Sequence, residues 1–301
     1  MEAKDMNVDS QVLKSESPSG LRILWRELVK DKLALFSLIF LILITAFVFG
    51  ISWILNQDEI VRVDLFAINE PPSDEFILGT DYGGRDVFGQ LIIGTRNSLT
   101  IGFLVTLFSG IIGIVFGVVS GYFGGHIDNI MMRILDFFFI LPFIMLVIVF
   151  VSLVPSYNTF TFSLIMTLFS WMGIARLIRS KALQEKELDY AKASKTLGSS
   201  DISIIFKQVL PNITSLIIVT MTLNLAANIG LESGLSFLGF GLPENTPSLG
   251  TLLSYATNPQ TLEHRWWIWM PAALLILLLM LAVRNVGEAL RRATDARQRR
   301  G

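Results

Sequence analysis

FFFILPFIMLVIVFVSLVPSYNTFTFSLIMTLFSWMGIA, Phe137 to Ala175, contains no charged residue. A hydrocarbon core about 30 Å thick is crossed by about 20 apolar residues in a helix, so this run is too long for one crossing. A helix is the form open to it, because lipid offers no partner for unpaired backbone groups. Pro155-Ser-Tyr-Asn-Thr, in the middle of the run, reads as a turn. The run divides there into two spans.

Four more runs flank these two: Leu33 to Leu55, Ser98 to about Phe123, Ile213 to Leu231, and Trp266 to Val283. The last opens on Trp266, Trp267 and Trp269, which suit a membrane interface. The expected fold is an all-α polytopic membrane protein with six transmembrane helices. Composition agrees, with 52% hydrophobic and 16% charged residues, against a usual charged fraction of about 25% in soluble domains. Leu33 to Leu55 is too long for the apolar region of a signal peptide and lacks a small-x-small site after it, so it is expected to remain as the first span. There is no strong internal repeat.

Lys and Arg orient the spans. Residues 1–32 hold six of them, residues 176–212 hold seven, the tail from Arg284 holds six, and Arg133 lies between the second and third spans. These twenty fall on one face, against Arg62, Arg85, Arg96 and Arg265 on the other. By the positive-inside rule both termini and the 176–212 loop are expected in the cytoplasm. The organisation that follows is a cytoplasmic segment 1–32, a first span 33–55, an acidic extracytoplasmic loop 56–96, a core 97–285 containing the 176–212 loop, and a cytoplasmic tail 286–301.

Several chemistries are excluded. The chain has no cysteine, so disulfides, thiol nucleophiles and cysteine-held zinc are ruled out. Its two histidines, His126 and His264, are far apart in sequence, and no metal site is expected. Asp81-Tyr-Gly-Gly-Arg-Asp86 mixes carboxylates with glycines but lacks the ligand spacing of a calcium loop, and a tight turn explains it. A phosphate-cradling G-x-x-x-x-G-K-[ST] loop is absent. No catalytic residue and no cofactor bound by this chain are expected, and no nucleic-acid partner.

Tyr190 to Pro211, YAKASKTLGSSDISIIFKQVLP, is polar where its surroundings are apolar. Gln184 to Leu197 is rich in helix formers, Lys195 suits a last turn, and Gly198 suits the left-handed stop. Ser199 or Ser200 can cap a second helix, with Asp201 in its first turn and Pro211 near its end. Leu188, Ala191 and Leu197 give the first piece an apolar side; Ile202, Ile204, Ile205, Phe206 and Val209 give one to the second. Two readings stay open for this corner: a surface loop packed on the bundle, or a handle for another protein.

The segment resembles the EAA loop of ABC importer permeases, in which Glu-Ala-Ala is followed by three residues, Gly, nine residues, an apolar residue, x, and Leu-Pro. Lys192, Ala193 and Ser194 stand at the leading triplet, Gly198 at the glycine, Gln208 at the apolar position and Leu210-Pro211 at the end. Lys192 reverses the charge of the family glutamate. The resemblance implies a coupling helix that docks on a cytoplasmic ATPase subunit, involving Tyr190, Lys192, Ala193, Ser194, Leu197, Gly198, Ser199, Asp201, Leu210 and Pro211. Ile77-Leu-Gly-Thr-Asp-Tyr-Gly-Gly-Arg-Asp-Val87 and Gly94-Thr-Arg-Asn-Ser-Leu99 resemble signatures of the second permease of dipeptide, oligopeptide and nickel importers. So do Gly121-Tyr-Phe-Gly-Gly-His-Ile-Asp128, Met132-Arg-Ile-Leu-Asp136, Leu235-Ser-Phe-Leu-Gly-Phe-Gly241 and Asn285-Val-Gly-Glu-Ala-Leu-Arg291. One departure is Gly89-Gln90, where the family commonly has Ser-Arg.

What the resemblance implies is a peptide-importing permease in the cytoplasmic membrane. Its partners would be a second homologous permease, two cytoplasmic ATPase subunits carrying ATP and magnesium, and an extracytoplasmic substrate-binding protein, with membrane lipid around the spans. Nickel import on the same architecture is an alternative; an ion-coupled transporter and a membrane scaffold are more distant ones.

Read from the residues, Gly113, Gly117, Gly121 and Gly125 recur every fourth position, which leaves one helix face open to close packing. Arg133 and Asp136 stand three apart and can pair. Asn224 and Asn228 share a helix face, and Glu232 follows one turn later. For these three, lining a translocation path competes with bonding between helices or, for Glu232, with an interfacial position.

Overall fold

The structure, a computed structural model, describes residues 28–298. The expected segment 1–32 and the tail 286–301 therefore fall partly outside the described residues. Among the described residues there are helices, turns and one isolated bridge between Thr80 and Asp86, with no strand.

Helix α1 spans Lys32–Ser52. Asp31 caps it, its carboxylate accepting from the Leu33 and Ala34 amides. Helix α2, Val87–Phe123, starts eleven residues before the expected Ser98, because Asp86 caps it by accepting from the amides of Phe88 and Gly89. The part of the expected 56–96 loop from Val87 onward is therefore helical.

The charge-free run does more than turn at Pro155. Helix α3, Gly125–Ile140, and α4, Phe143–Leu153, meet at 81°. The cause is Pro142: it pushes Leu141 into extended backbone, φ −82° and ψ 132°, and withholds an amide. After the Pro155 turn, Asn158 caps α5, Thr159–Ser170, which meets α6, Met172–Lys186, at 46° across Trp171. Helix α7 is Asp189–Thr196. Helix α8 runs through Asp201–Phe237 and includes a π turn at Ile205–Val209. Helix α9 is Leu249–Ser254, and α10 is Trp266–Gln298. Among the described residues, four helices are long and apolar enough to cross a membrane, and up to six if each bent pair is one span.

Helix α2 is the axis, packed along α6, α5, α8, α1 and α9. Its tightest seam is with α6. A Cβ on Gly113 would lie 2.9 Å from the Trp171 carbonyl oxygen, one on Gly117 2.6 Å from that of Ala175, and one on Gly121 2.5 Å from that of Arg179. Gly125 does not continue the stripe. The helix ends at Phe123, Gly124 and Gly125 adopt φ of 66° and 54°, and a Cβ on Gly125 would meet open space. The seam is thus three glycines long, and the fourth makes the corner into α3.

Asp136 is paired with Arg176 of α6 at 2.8 Å, in place of the expected Arg133. The corner into α3 is held by Asp128, which receives Arg179 of α6 and the Ser120 hydroxyl. Gly117→Ala is expected to cost about 1–3 kcal/mol through overpacking, seen as a lower thermal midpoint in detergent. Gly173→Ala, where a Cβ meets nothing within 4 Å, is expected to stay within about 0.5 kcal/mol.

Candidate functional site

At the basic end of the bundle the chain makes the helix, corner and helix expected from Tyr190 to Pro211. Helix α7 stops at Leu197, and Gly198 takes φ 86°. The Ser199 amide donates to the Ser194 carbonyl and the Gly198 amide to that of Lys195, both at 3.0 Å, a Schellman stop. Ser200 then caps α8 by accepting from the Ser203 amide. Pro211 sits inside α8 without breaking it. The π turn before it, in which the Leu210 amide reaches back to the Ile205 carbonyl, absorbs the amide that Pro211 lacks.

One side of this corner is fixed to the bundle. Ala191, Ile204, Ile205, Val209 and Ile213 are buried against Val118 and Tyr122 of α2 and Ile174, Ile178 and Ala182 of α6. The Tyr122 hydroxyl donates to Asp201 at 2.8 Å, and Lys195 pairs with the same carboxylate. Burial and the hydrogen-bonded Glu185 carboxylate push the Tyr190 phenol up to about 12, so it is a protonated donor to Glu185 near neutral pH. The other side faces outward: Leu197, Ile202 and Phe206 are 86%, 67% and 66% exposed.

Residues that depart from the family pattern find partners here. Lys192 pairs with Glu187 at 3.0 Å and holds that carboxyl below its usual range. The Gln208 amide donates to Ser194 at 2.5 Å, joining two departures across the corner. Ala193 is exposed beside them.

At the opposite, acidic end, Asp81 is fully buried and Arg85 nearly so, paired at 2.8 Å. Asp81 also accepts from the Gly83 and Arg85 amides and from Gln90. Arg85 reaches the Tyr255 hydroxyl at 3.3 Å and lies over the Tyr82 ring, whose hydroxyl donates to Glu244 at 2.6 Å. The carboxylate is thus occupied as a turn and ion pair, and among the described residues no group of acids and histidines could hold a metal.

Within α8, Asn228 donates to Thr106 of α2 at 2.9 Å, while Asn224 donates to the Thr220 carbonyl of its own helix. Glu232 is buried and accepts from Ser98 of α2 at 2.7 Å and from Ser236 at 2.8 Å. The structure therefore brings Asn228 and Glu232 against α2, and Asn224 stays on its own helix. Ser98, Ser236 and Asn97, which donates to the Pro247 carbonyl at 2.7 Å, were not singled out from sequence. Their signal was present in the Gly94 to Leu99 and Leu235 to Gly241 motifs, which the fold brings together.

A helical bundle with four to six apolar spans and a fixed, outward-facing corner at one end is the architecture of a multi-pass membrane protein. In fold it is similar to a chain in the structure titled inward facing conformations of the MetNI methionine ABC transporter, with TM-score 0.56 and 20% identity over 68% of this chain and 96% of that one. Residues 113–300 match the family of binding-protein-dependent transport system inner membrane components, and the chain belongs to it. Residues 19–72 match the N-terminal TM domain of oligopeptide transport permease C. It is 48% identical to the oligopeptide transport system permease protein OppC of Lactococcus lactis subsp. lactis, over 90% of this chain and 93% of that protein. It is 38% identical to the dipeptide transport system permease protein DppC of Bacillus subtilis, over 99% and 92%.

Asp81→Ala leaves the buried Arg85 charge without its carboxylate. The expected cost is about 3–5 kcal/mol, read as loss of folded protein or a large fall in thermal midpoint. Asp136→Ala, which breaks a pair exposed by half on both sides, is expected to cost about 1 kcal/mol or less.

Proposed function

We propose that this chain is one of two permease subunits of an ATP-driven ABC importer that carries di- or oligopeptides across the cytoplasmic membrane. Each bent helix pair counts as one span, giving six, with both termini and the 176–212 loop in the cytoplasm. ATP and magnesium bind partner ATPase subunits, and an extracytoplasmic binding protein delivers the peptide. The chain positions and moves; it makes and breaks no bonds.

The observation that carries this reading is the basic corner. Leu197, Ile202 and Phe206 expose apolar side chains on a backbone held by Gly198, Tyr122 and Asp201. Apolar side chains held out on a rigid polar corner suit the groove of another protein. The family supports the transport role, and the names of the relatives support peptides. Those relatives lend no support to nickel.

The test is uptake of labelled di- and oligopeptides by cells carrying the chain or its Gly198→Asp variant. Forcing an aspartate to φ 86° disturbs the corner without touching the spans. Membrane level is expected to hold while uptake and co-purifying ATPase fall about tenfold, the factor that follows from about 1.4 kcal/mol of lost docking energy. Unchanged uptake removes the coupling role from this corner, and no peptide uptake by the unaltered chain removes the substrate class.

A further inference from the structure

At the acidic end of the bundle a carboxyl is buried without an ion pair among the described residues. Glu232 is 0% exposed, and its hydrogen-bond partners are serine hydroxyls. Ser98 donates to one oxygen at 2.7 Å and Ser236 to the other at 2.8 Å. Ser233 is farther from it, at 3.4 Å, and has the Ile229 carbonyl at 2.9 Å as its nearer acceptor.

The direction of these bonds can be followed. A serine hydroxyl has one proton. Ser98 accepts the Leu249 amide at 3.0 Å, which turns its proton toward Glu232. Ser248 accepts the Thr251 amide at 3.1 Å and stands 3.4 Å from Ser236, which donates to Glu232. One chain of donors therefore starts at the Leu249 amide in the first turn of α9 and ends on one oxygen of the carboxyl, while Ser236, on α8 itself, donates to the other. A carboxyl group accepts on both oxygens, and a glutamine offers only one acceptor.

Helix α9 is six residues long and cannot hold itself in place. It sits in the segment 238–265, which is also tied to Tyr157 through the Gly241 carbonyl, to Gln57 through that of Asn245, and to Asn97 through that of Pro247. Glu232 and Ser98 are where that segment meets both long helices, α8 and α2.

We infer that Glu232 is a positioning residue that fastens the segment 238–265 to the α2–α8 pair, so that movement of the pair during transport is carried to the outer end. This rests on the transport reading above. Without the fastening, the pair moves under ATP hydrolysis while the outer segment fails to follow.

The experiment uses the whole transporter with its partner subunits, reconstituted in lipid discs and proteoliposomes, and compares Glu232→Ala, Glu232→Gln and Ser98→Ala. Amide exchange at residues 249–254 is expected to rise about tenfold in Ser98→Ala, which removes the acceptor of the Leu249 amide, the factor for one lost buried hydrogen bond, to rise also in Glu232→Ala, which frees Ser98 and Ser236 together, and to rise less in Glu232→Gln. Peptide taken up per ATP hydrolysed is expected to fall in Glu232→Ala, while hydrolysis itself is little changed. Unchanged exchange at 249–254 in Glu232→Ala and Ser98→Ala overturns the inference, as does an equal fall of uptake and hydrolysis. If Glu232→Ala does not assemble, Ser98→Ala is the deciding arm, because it breaks the donor chain and leaves the carboxyl in place. The exchange readout needs no peptide, so a wrong substrate class leaves it standing.

Discussion

The rest of the bundle depends on how closely α2 and α6 approach. Apolar faces do not drive helices together in lipid, which is as apolar as they are, so contact comes from packing that lets backbones touch. Gly113, Gly117 and Gly121 repeat every four residues on α2, and the carbonyls they face, of Trp171 at the N-cap of α6 and of Ala175 and Arg179 within it, repeat every four as well. The two repeats mesh like ridges in a groove. That seam places Tyr122, at the end of α2, beside Asp201, and places Arg179 of α6 beside Asp128. The corner at the basic end is rigid because the seam beneath it is.

The departures from the family pattern have physical partners. Lys192 reverses the charge of the family residue, and Glu187 stands within 3.0 Å to receive it. Ser194 and Gln208 are both more polar than the pattern, and they bond to each other. Gln90, at a position where the family commonly has a cation, donates an amide to Asp81, whose charge is already met by Arg85. In a partly buried site a polar group without a partner costs more than an apolar one would. Of the Gln208 amide only the nitrogen is met in this way; its buried oxygen has no hydrogen-bond partner among the described residues.

The fold class was legible because length and charge-free composition dictate helices in lipid, and the Gly198 corner was legible because a stop glycine and a capping serine act locally. The 81° break at Leu141-Pro142 leaves no mark in the polarity pattern, because unlike the Pro155 turn it is made of apolar residues. Gly125 was assigned to the packing stripe by period alone, whereas two successive positive φ values end the helix first. The motifs that carry Ser98 and Ser236 were visible one by one, but their meeting at Glu232 was not, because Ser98 and Glu232 are 134 residues apart and no local pattern joins them.

Polar contacts join α2 and α8 at three levels. Ser98 meets Glu232 at the acidic end, Thr106 meets Asn228 farther in, and Tyr122 meets Asp201 at the basic end. The residue order rises on one helix as it falls on the other, so the pair is antiparallel and pinned along its length. A pair pinned in this way is braced along its length, and the interrupted ladders at Leu141-Pro142 and Trp171 are where bending costs least. If a partner docks at Leu197, Ile202 and Phe206, as proposed above, displacement applied there would be carried by α2 and α8 to the acidic end, where Glu232 holds Ser98 and Ser236.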